Sequence, residues 1–364
     1  MVDELPNIPT NGRGAVGAPA GRFEKYTSVR MDDGWQSSLL EEEEWETKLK
    51  TNLHIDTSRS VINEITSPDL PRMRSINIYR GCEHGCIYCF ARPSHSYLGF
   101  SAGLEFETEI MYKPDTPEVL LRELAAKKYE PFPITLGSNT DCFQPVERGL
   151  KLARHVLEIL SEHNHPVAII TKSALVARDI DILAPMAAKG LARVNISLTT
   201  LDPALARVME PRAAAPYKRL ATMKALVNAG IPVTVMAAPL IPALTDMELE
   251  NILEAAYEMG ARRAHYTLVR LPYEVKDLFT EWVRTHRPDR PEHVLSLIRQ
   301  TRGGKLYDAD FSQRRSGTGV YAELIAQRFK KAKKRIGYSD AYPDMRLDLF
   351  RKPELNGQVA FDFK

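Results

Sequence analysis

The sequence predicts an α/β fold built on a parallel sheet. Two observations carry that expectation. Six short, apolar, β-branched runs recur from Ser75 onward, each bounded by turn or polar residues. Segments with helical periodicity separate them, and strands alternating with helices imply parallel pairing through right-handed crossovers.

The strands are expected at Ile76–Tyr79, Ile134–Leu136, Val167–Thr171, Val194–Leu198, Val233–Ala237 and Ala264–Val269. Four helices are expected between them. They begin at Pro117, Leu150, Lys218 and Glu248; Gly230 is a C-cap for the third and Thr245 an N-cap for the fourth. Beyond Pro288, Glu292–Gln300 and Val320–Arg335 read as helices, and the second ends in a basic run, Arg328–Arg335. An open doubly wound sheet and a full or partial β/α barrel both satisfy this pattern. In either, working residues gather at the C-terminal ends of the strands.

Composition sets outer limits. The chain has 364 residues, 44% hydrophobic and 26% charged, enough to bury a proper core. With 49 basic and 47 acidic residues the formal net charge is +2, so any basic footprint is local. The longest apolar run, Ile231–Leu244, is interrupted by three prolines and too short to span a bilayer, so no membrane association is expected. The N-terminus lacks the apolar core of a secretory signal. Residues 1–50, rich in Gly, Pro and Ala at first and carrying the Glu41–Glu44 run, are expected to be a largely disordered extension. Residues 51–74 read as a polar lead-in, 75–287 as the β/α unit, and 288–364 as a helical cap and tail.

Three of the four cysteines fall within eight residues, in Arg80-Gly81-Cys82-Glu83-His84-Gly85-Cys86-Ile87-Tyr88-Cys89. Gly81 and Gly85 let the loop curl so that its thiols converge on one metal centre. Soft thiolates select zinc, copper(I) or an iron–sulfur cluster. A structural zinc site needs a fourth ligand, for which His84 is at hand. Electron-transfer clusters normally use four cysteines, so three suggest a cluster with one iron open to substrate or cofactor.

The C-x3-C-x2-C loop after the first strand resembles the radical S-adenosylmethionine (SAM) superfamily. Cys89-Phe-Ala-Arg, Gly137-Ser-Asn-Thr-Asp, Thr171-Lys172, Ser197 and Glu210-Pro211 are similar to its spore photoproduct lyase-like branch. The resemblance implies a partial (β/α)6 TIM-like barrel, an enzyme, a 4Fe–4S cluster on Cys82, Cys86 and Cys89, and SAM on the remaining iron. It further implies cleavage of SAM to a 5′-deoxyadenosyl radical that abstracts hydrogen from a substrate. That substrate is a nucleic acid or a small molecule, with Arg314, Arg315 and the basic helix as phosphate contacts. A flavodoxin- or ferredoxin-type electron donor and a cytoplasmic location follow.

By the same resemblance, SAM lies against Tyr88, Gly137, Ser138, Asn139, Thr140, Asp141, Lys172, Ser197, Thr199, Glu210 and Leu240. Lys172 is assigned the methionine carboxylate and Glu210 the ribose. Many relatives carry Gly-Gly-Glu where this chain has Ser138-Asn139-Thr140-Asp141. Asp141 and Asn139 equally suit a turn, Glu210 a pair with Arg212, and Leu240 the core. Cys142 is a candidate hydrogen donor, although it stands four residues beyond the position where such lyases place theirs; an inert buried thiol is the competing reading. His95 and Tyr97 are candidates for the mouth. Two other classes of function remain: a zinc-stabilised nucleic-acid-binding protein and a non-catalytic redox iron–sulfur protein.

Overall fold

A computed structural model describes residues 9–23, 49–339, 341 and 344–354. The chain opens with β1 (Asn52–Ile55), β2 (Ile62–Ile65), β3 (Met73–Ile76) and β4 (Tyr79–Arg80). After the cysteine loop come α1 (Glu105–Thr108), β5 (Glu109–Tyr112) and α2 (Thr116–Ala125). The repeating part follows: β6 (Ile134–Leu136), α3 (Glu147–Leu150), α4 (Leu152–Glu162), β7 (Val167–Thr171), α5 (Ile180–Ala188), β8 (Ala192–Ser197). It continues through α6 (Pro203–Met209), α7 (Pro216–Asn228), β9 (Val233–Leu240), α8 (Leu249–Glu258), β10 (Arg263–Leu268) and α9 (Val275–His286). Helices α10 (Pro291–Gln300) and α11 (Gly319–Ile336) close the described chain.

The main sheet has the order β10-β9-β8-β7-β6-β3-β2. From β3 to β10 every pairing is parallel and follows chain order; β2 runs antiparallel to β3. Neither end strand pairs with the other, so the sheet is open, in keeping with the partial barrel that the resemblance implies. Its outward side chains, among them Val194, Ile196, Val233 and Val235, are buried beneath α2, α4, α5, α7 and α8. The crossovers thus bring six strand C-termini to one end.

Several expectations are corrected. The first predicted strand, Ile76–Tyr79, is two strands, and Asn77 and Ile78 link the main sheet to a small one of order β1-β5-β4. The lead-in therefore contains two strands rather than none. The helix predicted from Leu150 is broken at Lys151, whose φ of 54° lies in the left-handed region. Thr245 does not cap through its side chain; its hydroxyl accepts from Ile241 N at 2.9 Å.

Residues 9–23 do not form a loose tail. Ala15 and Val16 are buried, and the N–H groups of Gly14 and Ala15 donate to Glu107 at 3.0 and 2.9 Å. Gly–Ala-rich composition here reflects close backbone approach. A Cβ on Gly14 would stand 1.7 Å from the Gly85 carbonyl oxygen. The Glu41–Glu44 run lies outside the described residues.

Candidate active site

The cysteine loop runs between β4 and α1, tied to Phe106 by Cys82 N and to Met209 by Ile87 N. Gly81 and Gly85 adopt φ of 80° and 67°, as the curl of the loop requires. At Gly85 an added Cβ would meet Glu107 Oε2 at 2.7 Å, so no side chain fits beneath the loop. Cys82 and Cys86 are buried and Cys89 half-buried. Burial raises the Cys82 thiol pKa, and the charges of Asp141, Cys86 and Cys89 push it the same way. Desolvation also dominates at Cys86, where Lys172 opposes it. Metal loading reverses such a shift, because a coordinated thiol is held deprotonated.

A buried ion pair fixes the loop from below. Arg92 and Glu107 are both inaccessible, with Nη2 and Oε1 2.5 Å apart. Arg92 also donates to four carbonyls, those of Gly85, Cys86, Ala102 and Gly103, at 2.8–3.1 Å. Glu107 accepts from the N-terminal strap described above. Neither residue was singled out as functional from the sequence. Arg92 stands three residues past Cys89, but its carboxylate partner lies beyond a turn and a short helix.

Most of the predicted SAM residues lie at the C-terminal ends of β6 to β9, on adjacent strands; Tyr88 lies in the cysteine loop and Glu210 at the end of α6. Asp141 is saturated: it accepts from Thr171 Oγ1 (2.7 and 3.0 Å), Lys172 N (2.8 Å) and Phe143 N (2.9 Å). His84 Nδ1 lies 3.3 Å away. Asp141 thus joins the ends of β6 and β7 to the cysteine loop. Desolvation would raise its pKa, but His84 and these donors outweigh it and hold the carboxyl near 2. Its stabilising contribution is complete above about pH 4 and is lost as the pH falls toward 2. Asp141→Asn should remove that part of the acid transition, measured by thermal melting between pH 5 and 2.

Gly137 has φ of 80°, and a Cβ there would stand 2.2 Å from Ile170 O, so only glycine lets β6 turn against β7. Ser138 Oγ and Asn139 N reach Asn77 Oδ1 at 3.4 and 3.2 Å; Thr140 Oγ1 donates to Tyr79 O at 2.8 Å. Lys172 is half-buried and its Nζ stands 5.7 Å from the Tyr88 ring centre. No carboxylate among the described residues pairs with it.

A second buried hub surrounds Glu210. It accepts from Tyr88 Oη, from Thr199 Oγ1 at 2.7 Å, and from Arg219. The expected Arg212 partner is replaced by Arg219, which sits on α7 under the site; Arg212 turns to Glu83 at 3.0 Å. Ser197 is buried, and its carbonyl accepts from Arg219 at 3.1 Å. Leu240 and Cys142 are buried in the main core, Cys142 beside Gly137. His95 is a core residue: its Nε2 donates to Glu109 O at 2.9 Å, and burial lowers its pKa to about 4. Tyr97 is 69% exposed.

Three of the predicted phosphate contacts are engaged within the chain. Arg314 pairs with Asp69 at 2.6 Å, Arg328 with Glu250 at 2.6 Å and Arg335 with Glu254 at 2.5 Å. The two arginines that bound the basic run of α11 thus pair with Glu250 and Glu254 on α8, a pairing that no local sequence pattern reveals.

Three thiols in one curled loop, at the C-terminal end of an open parallel barrel, match the architecture of one superfamily, and residues 76–256 match that family, the radical SAM superfamily. The chain belongs to the radical SAM superfamily. It is 33% identical over 245 residues to an uncharacterized protein of Mycobacterium tuberculosis, covering 66% of this chain and 72% of that one. An uncharacterized protein of Methanocaldococcus jannaschii is 27% identical over 173 residues, 48% of this chain and 62% of the other. Among solved structures, a spore photoproduct lyase mutant aligns over 78% of this chain and 79% of its own, with TM-score 0.51 and 14% identity. Another, with bound AdoMet and dinucleoside spore photoproduct, aligns over the same shares at 0.51 and 13%. At that identity the likeness concerns the fold.

Radical SAM enzymes use a 4Fe–4S cluster and SAM, and this chain is an enzyme of that class. The donor set fits: three soft thiols in one loop, with the fourth cysteine in the core. The zinc alternative requires His84, whose Nδ1 faces Asp141. Among the described residues no three His, Cys, Asp or Glu converge as the ligands of a single ion do, and no helix is long and apolar enough to cross a membrane.

Proposed function

We propose that Cys82, Cys86 and Cys89 hold the 4Fe–4S cluster and that SAM binds across the ends of β6 to β9. When bound, the pair supplies reductive cleavage of SAM to methionine and a 5′-deoxyadenosyl radical, which abstracts hydrogen from a substrate. The observation that carries this reading is Lys172. It is a half-buried ammonium with no carboxylate partner among the described residues, placed at a strand end beside Tyr88 and close enough to influence Cys86. A half-buried cation without a protein counterion is well placed to pair with an anionic ligand. The methionine carboxylate is such a group.

The other residues divide by what they touch. Asp141 and Glu210 are engaged with protein donors, so they position the β6–β7 turn and Tyr88 respectively. Gly137, Ser138 and Asn139 would contact SAM at the end of β6; Ser197 and Thr199 are buried at the end of β8, where Thr199 donates to Glu210. Thr140 supports the turn from behind. Leu240 packs the wall.

Lys172→Ala should weaken SAM binding by about tenfold or more, the loss of one charge-assisted contact, while iron content after reconstitution stays at the wild-type level. Equilibrium dialysis with labelled SAM reads the first and iron analysis the second; unchanged SAM affinity removes Lys172 from the site.

The electron comes from a flavodoxin- or ferredoxin-type donor in a reducing cytoplasm, the setting that free thiols and an oxygen-sensitive cluster need. A nucleic-acid substrate is supported by the fold neighbour bound to a dinucleoside photoproduct. The ion-paired arginines of the C-terminal part lend it no support.

A further inference from the structure

Arg270 follows β10, at the same end of the sheet as Lys172. Its guanidinium carbon lies 4.3 Å from the centre of the Phe90 ring, and Phe90 directly follows Cys89. A cation–π contact of this kind uses none of the N–H donors of the fork. No hydrogen bond or ion pair to a described residue uses them either, although the side chain is half-buried.

The neighbouring charges do not compensate it. Burial lowers the Arg270 pKa most; Arg314 and then Arg315 also lower it, while Tyr307 and Asp69 raise it. Asp69 is occupied by Arg314 at 2.6 and 2.7 Å. Arg302 is close enough to feel Arg270: burial first, then Arg270, lowers its pKa to about 10. Arg302 spends its Nη groups on the carbonyls of Gln313 and Val269 at 2.9 and 2.7 Å, and its Nε is buried without a partner. The end of β10 therefore carries a cationic corner beside the cysteine loop.

We propose that Arg270, placed over the Phe90 ring, is the anchor for an oxyanion group of the substrate, a phosphate or a carboxylate presenting two oxygens to the guanidinium fork. Calling that ligand the substrate rests on the radical SAM reading of the site; the anion site itself does not. Lys172 and Arg270 then divide two anionic groups between opposite sides of the opening, the methionine carboxylate at β7 and the substrate oxyanion at β10.

The test uses the full-length, cluster-reconstituted protein without SAM. Inorganic phosphate and acetate are titrated separately at constant ionic strength and binding is read by calorimetry. Saturable binding of one anion is expected: phosphate alone assigns a phosphate group, acetate alone a carboxylate. Arg270→Ala should weaken it by about thirtyfold. Arg270→Gln, which keeps a planar group on Phe90 without the charge, should lose as much. Arg270→Lys, which keeps charge without the fork, should fall between. Without anion, the melting temperature of Arg270→Gln should match or exceed that of the wild type, because an unpaired cation is removed. No saturable binding of either anion, or equal binding by wild type and both uncharged variants, overturns the proposal. Since SAM is absent, neither result depends on whether the chain cleaves it.

Discussion

Replacing Cys82, Cys86 or Cys89 with Ala, one at a time, should reduce iron and sulfide to background after anaerobic reconstitution. Each loss is expected to be complete because no substitute ligand stands near. Cys142 lies in the main core next to Gly137, where burial keeps its thiol protonated. His84 is engaged with Asp141. The loop is also held by backbone contacts to Phe106 and Met209 and by Arg92, so it cannot slide to recruit a distant donor. Folding should survive, since the three thiols form no disulfide and the small apolar clusters that hold them are separate from the main core. A single alanine variant that retains full iron content would remove that cysteine from the ligand set.

The second large effect concerns the Arg92–Glu107 pair. Breaking a fully buried ion pair by removing one partner costs about 3–5 kcal/mol, because the other charge is left without compensation. Glu107→Ala strands Arg92 and also frees the N–H groups of Gly14 and Ala15. Arg92→Met strands Glu107 and removes the donors that gather the Gly85 and Cys86 carbonyls. Either change should lower the melting temperature by on the order of 10 °C and reduce cluster incorporation, because the loop that carries the thiols is no longer fixed. The double variant Arg92→Met/Glu107→Leu should be less destabilised than the two single effects summed, the signature of a coupled pair. Single variants that melt within a degree of wild type would show that the pair does not hold the loop.

The legibility of this chain in its sequence follows from the range of the interactions. Period-2 and helical patterns are local, so Ile134–Leu136 and Val167–Thr171 have the predicted limits, and α7 and α11 begin within two residues of theirs. The cysteine loop was legible because three cysteines lie within eight residues. What escaped depends on partners far along the chain. β1 is exposed at every residue and shows no alternation; it exists because it pairs with β5, 57 positions later at Asn52 and Glu109. The strap at residues 12–17 has the composition of a tail and the contacts of a core. Arg219 replaces Arg212 as the partner of Glu210 because α7 folds beneath the site. The basic run of α11 read as a phosphate surface, yet α8 supplies Glu250 and Glu254 opposite it. At the site itself, Asp141 and Glu210 are SAM contacts by the resemblance, with a turn and a pair with Arg212 as the alternatives; only the three-dimensional arrangement shows which protein donors engage them.

The central claim is that this loop and these strand ends support reductive cleavage of SAM. The most direct measurement is anaerobic reconstitution of the full-length chain with iron and sulfide, followed by dithionite and SAM, with 5′-deoxyadenosine quantified by chromatography. The account predicts a brown protein that forms 5′-deoxyadenosine, and none from the Cys86→Ala variant. A colourless protein holding one zinc, or a loaded cluster that neither binds nor cleaves SAM, would contradict it.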